Sequence, residues 1–427
     1  MLSSPSQPSK NSTPLHWPSL WQLILSVLAA LGLLGLVLLL SLSQLMTYVT
    51  GNQDLSDPTS SVLMISGMFF TALLVLPSIW FSLRRLLGHS SRPAFLWLKP
   101  PNILLLTLLV GLLMPGILLL GQSISSKPNI SWWLLPPLQI LGVGLPILWL
   151  VTIGLYGLPA GSSQRAWGIF DSGLVISPIL IIVLEIGALG VLGIFWIVII
   201  ATQPEWLVEL SILAQRLQFA QDPDYVAKIL APFLVRREVI VTLFLFAAII
   251  VPIIEEILKP IGIWLLVGMN ITPAEGFTAG LLSGAGFALF ESLGYTSMAG
   301  EDWAAMVITR IATACLHIFT SALLGWSYAI TWKNGNYLRL GASFLLAVLI
   351  HGLWNGLALL AIGATELPFP ISLPSFTQRL GTIAAVSLVF LGAAIFASYL
   401  LFNWRLRRAI IERPEQGIDS VQVILEG

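Results

Sequence analysis

A succession of about ten long apolar stretches constrains this chain more than any other feature. An α-helix needs about 20 mainly apolar residues to cross the hydrocarbon core of a bilayer. Of the 427 residues, 57% are hydrophobic and only 9% are charged, whereas charged residues make up about 25% of a soluble domain. The pattern predicts an all-α fold, a polytopic membrane helix bundle with about ten transmembrane helices.

The predicted spans follow the apolar runs, and tryptophans flank several of them, as in an interfacial aromatic belt. They lie at about 21–45, 61–83, 102–122, 132–158, 173–201, 239–268, 276–298, 303–331, 340–363 and 377–402. The sixth span contains Pro252 and Pro260. Because proline removes a backbone donor and crowds the preceding turn, we expect that helix to be kinked or broken.

Composition also predicts how the chain is divided. The membrane helices of residues 20–202 and 239–363 are separated by a charged stretch, 203–238, whose apolar residues recur at helical spacing: Trp206, Leu210, Leu213 and Leu217. This spacing predicts an amphipathic interfacial segment, with a plain linker as the alternative. The other predicted segments are a disordered N-terminal tail (1–19), a final loop and membrane helix (364–402) and a cytoplasmic tail (403–427).

Except in segment 203–238, which lies on the other side with basic and acidic residues in near balance, lysine and arginine are concentrated in loops on one side of the predicted bundle. These residues are Arg84, Arg85, Arg92, Lys99, Arg165, Lys333, Arg339, Arg405, Arg407 and Arg408. Cytoplasmic loops carry an excess of lysine and arginine, so we expect a multi-pass protein of the cell membrane with both termini in the cytoplasm. The formal net charge is zero, so no basic surface suggests nucleic acid as a partner.

Five ionisable residues of the C-terminal half lie in stretches apolar enough to span a membrane: Glu255, Glu256, Glu291, His317 and His351. A charged side chain at the bilayer centre costs about 3 kcal/mol on insertion scales. Such groups usually face one another, a watery cavity or a metal ion. Their concentration in a few consecutive helices therefore predicts a site.

The acidic pair Glu255 and Glu256 is bracketed by Pro252 and Pro260. Glu255 and Lys259 are four residues apart, so they share a helix face and can form an ion pair. Two adjacent carboxylates in a low dielectric are not expected to be ionised together, and such a carboxylate suits a general base for water. The alternative is a buried ion pair that only holds two helices together.

The seventh predicted span combines a glycine ladder with a carboxylate. Gly276, Gly280 and Gly284 recur every fourth residue, and small residues at that spacing let helix backbones approach closely. Phe287 and Glu291 share a face of the same helix. Taken alone, Glu291 is equally well explained as a core carboxylate with satisfied hydrogen bonds.

Two histidines lie on the next two predicted helices. Arg310 and His317 are seven residues apart, and His351 and Asn355 are four apart, so each pair shares a face. Histidine and glutamate are usual ligands of a catalytic zinc that keeps a position for water, which makes Glu291, His317 and His351 candidate ligands. Asn355 is a candidate to hold an oxyanion or to orient the histidine. A lone histidine in such surroundings is more often a hydrogen-bonded packing residue.

Four motifs follow one another on successive helices: Glu255-Glu256-x-x-Lys259, Gly286-Phe287-Ala288-x-x-Glu291, Arg310 with His317, and His351-x-x-Trp354-Asn355. Together they resemble the PrsW family of intramembrane proteases, which is related to the CAAX prenyl endopeptidases, over roughly residues 239–363. The CAAX relatives carry a histidine where this chain has Glu291, and Ser292 stands where an asparagine is expected in PrsW-like proteins.

The resemblance implies an endopeptidase that cleaves membrane-anchored protein substrates, such as an anti-sigma factor, within the lipid bilayer. The predicted catalytic residues are Glu255, Glu256, Glu291, His317, His351 and Asn355. The attacking water is either bound to zinc or activated by glutamate without a metal.

A proton-coupled transporter is the main alternative to an enzyme, because Glu/His chains also form proton relays. Glu185 favours it slightly, since it is the one clear intramembrane charge of the first five spans and the protease hypothesis gives it no role. The concentration of charged groups in four consecutive helices, without the internal repeat of many transporters, favours the enzyme. A catalytically inactive scaffold that binds other membrane proteins is a third alternative.

Overall fold

A computed structural model describes residues 16–50, 58–95, 99–220, 222–234, 236–363 and 375–412. These residues are almost entirely helical and form no sheet. Within them, ten helical stretches are long and apolar enough to cross a membrane. The fold is therefore an all-α polytopic helix bundle, as predicted.

Fifteen α-helices follow one another along the described residues. They are α1 (Trp17–Val49), α2 (Pro58–Leu86), α3 (Pro100–Ser125), α4 (Pro128–Leu155), α5 (Ser163–Asp171), α6 (Ser177–Ala201), α7 (Pro204–Gln218), α8 (Pro223–Leu234), α9 (Arg237–Leu245), α10 (Val251–Leu258), α11 (Ile261–Trp264), α12 (Pro273–Ser297), α13 (Trp303–Asn334), α14 (Tyr337–Gly363) and α15 (Ser375–Glu412). Two π-helical turns, Ser172–Ile176 and Phe246–Ile250, join α5 to α6 and α9 to α10.

Parts of three predicted segments lie outside the described residues: 1–15 of the N-terminal tail, 364–374 of the final loop and 413–427 of the cytoplasmic tail. Helices extend into the described parts of both predicted tails, since α1 begins at Trp17 and α15 continues to Glu412. An apolar run shows only which residues lie in the hydrocarbon core. The helix itself extends beyond that run for as long as the residues that follow also favour helical structure.

The charged segment before the sixth span folds as two helices, α7 and α8. Leu213, on the predicted apolar face of α7, is buried. Trp206 stacks on Trp196 of α6 with ring centroids 5.9 Å apart. Arg236, which follows α8, lies over the ring of Trp206 and forms an ion pair with Glu209 of α7. These contacts attach the segment to the end of α6.

The sixth span is broken, as its prolines predicted. Pro252 lies in the first turn of α10, directly after the second π turn. Pro260 follows the end of α10, and only the four-residue helix α11 continues beyond it. Because proline has no N–H and crowds the preceding turn, α10 is confined to two turns. This short helix carries the acidic pair.

Helix α12 lies at the centre of the bundle. It is the least apolar of the ten candidate spans and also the most enclosed, since it packs on α2, α4 and above all α13. A Cβ atom added at Gly276, Gly280 or Gly284 would lie within 2.6 Å of a backbone carbonyl oxygen of α13. The predicted close approach is confirmed, and it requires glycine. It fixes the depth of the α13 side chains relative to those of α12.

Candidate active site

Four helices bring the five predicted ionisable residues to one place inside the bundle. Helix α10 carries Glu255 and Glu256, α12 carries Glu291, α13 carries His317 and α14 carries His351. Glu256 and both histidines are at most 1% exposed. Polar groups are costly to bury unless they find partners, and here they find one another.

Lys259 occupies the centre of this cluster and is fully buried. Its Nζ lies 2.6 Å from Oε1 of Glu256 and 3.4 Å from Oε2 of Glu255. The same Nζ lies 2.9 Å from Nδ1 of His317 and 3.5 Å from Nδ1 of His351. The ion pair predicted with Glu255 is present, but Glu256 is the closer partner.

One oxygen of Glu256 is held by three donors. Oε1 accepts hydrogen bonds from Lys259, from Oγ1 of Thr320 at 3.2 Å and from Nδ1 of His351 at 2.9 Å. Donation from Nδ1 requires the proton on that nitrogen, so Nε2 of His351 carries the lone pair. The other oxygen, Oε2, has no hydrogen-bond partner among the described residues.

Glu291 is anchored to α13 by two side chains. Nη2 of Arg310 donates to Oε2 of Glu291 at 2.5 Å, and Nε2 of His317 lies 2.7 Å from the same oxygen. Nε of Arg310 also donates to Oγ of Ser292 at 3.3 Å, and its guanidinium lies over the ring of Tyr295. Ser292 therefore supports the arginine that holds the carboxylate.

Aromatic rings form an apolar wall beside these charges. The edge-to-face pair of Phe287 and His317 has ring centroids 5.0 Å apart, and the pair of His317 and His351 has them 5.1 Å apart. Nζ of Lys259 lies 5.3 Å from the centroid of Phe287. Contact with Phe287 limits the orientations open to the ring of His317.

Asn355 faces the broken helix. In the π turn the N–H of Val251 bonds to the carbonyl of Phe246, and Pro252 has no N–H. The carbonyl of Ala247 therefore lacks a partner within its own helix. Nδ2 of Asn355 donates to this carbonyl at 3.0 Å, rather than to the histidine one turn earlier. The amide thus joins α14 to the turn that begins α10.

The donor atoms of Glu255, His317 and His351 lie within 4.8 Å of one another. Oε2 of Glu255 and Nε2 of His317 are buried and have no hydrogen-bond partner among the described residues; the short contact of the histidine with Glu291 lacks hydrogen-bond geometry. Histidine and carboxylate ligands suit a catalytic zinc. The donor set therefore fits a metal ion, and the group contains Glu255 rather than Glu291, the carboxylate proposed from the sequence.

Two hydroxyl residues near the site had not been singled out from the sequence. Thr320 lies one turn beyond His317 and donates to Glu256. Oγ of Ser283 donates to the carbonyl of Lys259 at 2.5 Å, which lies at the break before Pro260. Thr320 is predictable from its spacing, because it lies three residues after His317 and shares a helix face with it. Ser283 lies on α12, far in sequence from Lys259, so no local spacing indicates this contact.

A second carboxylate of the N-terminal spans had also been overlooked. From the sequence we counted Glu185 alone, but Asp171 is buried at the end of α5, where it accepts a hydrogen bond from Ser26. Ser26 and Ser78 also share a hydrogen bond of 2.9 Å. This network joins α1, α2 and α5, and it lies on different helices from the acidic pair and the histidines.

A comparison with protein families matches residues 178–391 to the PrsW family intramembrane metalloproteases. No curated protein and no solved structure matches the chain. The matched region is half of the chain, begins in α6 and ends in α15, and contains all six residues predicted to be catalytic. The chain belongs to the PrsW family of intramembrane metalloproteases.

Proposed function

We propose that this protein is an endopeptidase that hydrolyses peptide bonds of membrane-anchored protein substrates. The observation that carries the proposal is the convergence of the acidic pair with His317 and His351 in the interior of a polytopic bundle. Membership of an intramembrane metalloprotease family supports the same conclusion. Hydrolysis needs an activated water and a stabilised oxyanion, and the cluster offers groups for the first task.

In this proposal Glu255, His317 and His351 hold a zinc ion. Such an ion supplies a Lewis acid for the water and the carbonyl of a hydrolysis. The carboxylates of Glu255, Glu256 and Glu291 outnumber the two basic groups, Lys259 and Arg310, by one. A bound cation would therefore balance the charge of the cluster with all three carboxylates ionised.

Glu256 is the proposed general base. Three donors hold its Oε1, whereas Oε2 carries no hydrogen bond from a described residue. Oε2 is therefore the acceptor for a proton from water. The hydrogen bond between Glu256 and His351 couples the base to the orientation of a proposed ligand. If no metal is bound, the same pair of carboxylates serves a glutamate mechanism.

The remaining predicted residues are assigned positioning roles. Glu291, itself held by Arg310, lies 2.7 Å from Nε2 of His317 and confines that imidazole by direct contact. Asn355 fixes the start of α10 through the carbonyl of Ala247. In this way two residues outside α10 determine where the acidic pair lies relative to the histidines.

We propose further that the protein lies in the cell membrane with both termini in the cytoplasm, as the loop charges predict. The catalytic helices were predicted from the sequence at residues 239–363, after an interfacial segment at 203–238. The family match begins earlier, within α6, which supports including α6 in the catalytic unit.

Reconstitution tests this function. The purified protein is placed in proteoliposomes with single-span reporter proteins, and cleavage is followed by mass spectrometry with and without a chelator. We expect cleavage that the chelator abolishes and zinc restores. Cleavage that survives complete removal of metal would support the metal-free glutamate mechanism. Proton flux without cleavage of any reporter would instead support the transporter.

A further inference from the structure

Glu185 is an intramembrane carboxylate that the proposed mechanism does not use. Most side chains of its helix, α6, are exposed on the surface of the bundle, but one stripe is turned inward: Ile181, Glu185, Ala188, Leu192 and Trp196. Glu185 is half-buried, and no described residue forms a hydrogen bond or ion pair with it. A carboxylate at membrane depth without a partner is costly, which suggests that another molecule provides one.

Packing places Glu185 at the edge of the active site. Ile181 packs with Phe287 of α12 and Leu258 of α10. Glu185 lies one turn beyond Ile181, and Glu291 lies one turn beyond Phe287. Successive spans alternate in direction, so α6 and α12, the fifth and seventh, run the same way. Glu185 and Glu291 therefore lie on the same side of the Ile181–Phe287 contact. Glu185 accordingly interacts electrostatically with Glu291 and Glu255.

A groove runs along α6, beginning one turn beyond Glu185. It has a volume of about 340 Å³ and lies between α6 and α9, and Trp206 and Leu210 of α7 and Phe233 of α8 line it as well. Leu192, Gly193 and Trp196 line one wall, and Val239 and Leu243 line the other. The walls are mostly apolar, and the groove is open at the surface. Leu189, which lies one turn beyond Glu185, also lines the groove, so one end of the groove lies about one helical turn from the carboxylate.

We propose that this groove admits the membrane-spanning segment of a protein substrate, and that Glu185 accepts hydrogen bonds from N–H groups of that segment beside the catalytic cluster. The inference rests on the proposed peptidase function. A peptide fits better than a lipid, because an acyl chain offers Glu185 no donor. A helix that opens for hydrolysis, in contrast, frees N–H groups that need acceptors at membrane depth.

Disulfide crosslinking tests the occupant of the groove. The probe is a synthetic peptide of about 24 leucine and alanine residues, long enough to span a bilayer, with lysines at both ends and one central cysteine. The protein carries Glu256→Gln, to prevent turnover, and Cys315→Ala, to remove its one cysteine. A new cysteine is placed either in the groove, Leu192→Cys, or on the outer face of α6, Val191→Cys, where the native side chain is 69% exposed.

We expect the peptide to crosslink at position 192 at least about fivefold more than at position 191, since only the first faces the groove. Filling the groove with Gly193→Phe should suppress this crosslink, whereas Gly187→Phe, on the opposite face of α6, should not. A Cβ atom at either glycine meets no other atom within 4 Å, so both variants should fold. Equal crosslinking at the two cysteines, or no effect of Gly193→Phe, would overturn the inference.

A second arm measures Glu185 through the peptide concentration that gives half-maximal crosslinking at position 192. Glu185→Leu, which removes the acceptor, should raise this concentration by about fivefold or more. Glu185→Gln keeps a carbonyl acceptor and should raise it less. If Glu185 had only a structural role, the substitutions would change thermal stability but not the concentration for half-maximal crosslinking. Equal half-maximal concentrations for the protein with Glu185 and the two variants would therefore show that Glu185 does not bind the peptide.

The outcomes separate this inference from the proposed function. Crosslinking needs no hydrolysis, so the expected pattern without cleavage of any reporter would contradict the peptidase proposal and leave the peptide groove standing. Normal cleavage by Gly193→Phe would contradict the groove alone. A phospholipid with a photoreactive acyl chain provides the last arm. If it labels the groove and excess peptide does not displace it, the occupant is a lipid and the inference is wrong.

Discussion

Nζ of Lys259 lies 2.9 Å from Nδ1 of His317, within the group of side chains that fits a metal ion. The lysine also lies within 3.5 Å of Glu255, Glu256 and His351. The ammonium group pairs with Oε2 of Glu255, one of the three candidate ligands, and it repels a metal ion bound beside it. We therefore expect Lys259 to limit metal affinity while it compensates the buried acidic pair.

Replacing Lys259 with methionine separates these two effects. We expect Lys259→Met to bind zinc about tenfold more tightly, because a like charge is removed from the site. Without metal, the variant should unfold at a lower temperature, because Glu256 loses its closest ion-pair partner. Chelator competition measures the affinity, and Lys333→Met at the exposed end of α13 is the control. Unchanged or weaker zinc binding would contradict this role.

The acidic pair is tested by neutral isosteres. Glu255→Gln and Glu256→Gln keep the side-chain volume but remove a ligand charge in one case and the proposed base in the other. At least one should lower turnover by about 10²-fold or more, with helicity and monodispersity retained. Glu301→Gln, at an exposed position, is the control. Near-normal cleavage by both variants would remove the pair from the mechanism.

The histidines are tested by metal content rather than by activity. Purified protein should contain about one zinc ion per chain, and His317→Ala or His351→Ala should remove it. His89→Ala, at an exposed position between α2 and α3, should retain it. Elemental analysis gives the stoichiometry directly. An active preparation without metal would favour the glutamate mechanism.

Asn355 has two possible roles that differ in magnitude. Loss of an oxyanion donor costs about 10²–10³ in turnover. Loss of the hydrogen bond to Ala247 should instead lower the free energy of unfolding by about 1 kcal/mol and slow turnover by less than about tenfold. We expect the second result for Asn355→Ala, measured by thermal unfolding and reporter cleavage. A stable protein with the larger loss of turnover would support the oxyanion role.

The glycine contact between α12 and α13 is tested by one methyl group. A Cβ atom at Gly280 would lie 2.1 Å from the carbonyl oxygen of Ser321, so Gly280→Ala should destabilise the protein by about 1–3 kcal/mol. Gly294→Ala on the same helix is the control, because its Cβ atom meets nothing within 4 Å. The free energy of unfolding of that variant should be unchanged or higher by up to about 1 kcal/mol, because alanine favours helix over glycine. Equal unfolding temperatures of the two variants would contradict the packing argument.

Hydrophobic length and local spacing predict most of the fold, because they express the cost of exposing polar backbone to lipid. They predict the membrane helices, the break at Pro252 and Pro260, and the backbone contact of the glycine ladder. They also predict that the scattered carboxylates and histidines meet, because buried charges require partners. The positions of the helices can therefore be predicted from hydrophobic length, proline positions and residue spacing, all of which are local features of the sequence.

What the sequence could not predict depends on contacts between helices. Spacing pairs Lys259 with Glu255, but the lysine lies closer to Glu256, whose Oε1 also accepts hydrogen bonds from Thr320 and His351 on other helices. The partner of Asn355 is a carbonyl that only the π turn leaves without a helical bond. Irregular turns of one helix thus determine the roles of residues on another.

The enclosure of α12 has a consequence for how the protein is made. This helix is the least apolar of the candidate spans, and its glycines need the backbone of α13 beside them. A segment of this composition gains little by leaving the translocon alone. Its integration into the bilayer should therefore await the synthesis of α13, so that the pair enters the membrane together and Glu291 meets His317 before either residue meets lipid.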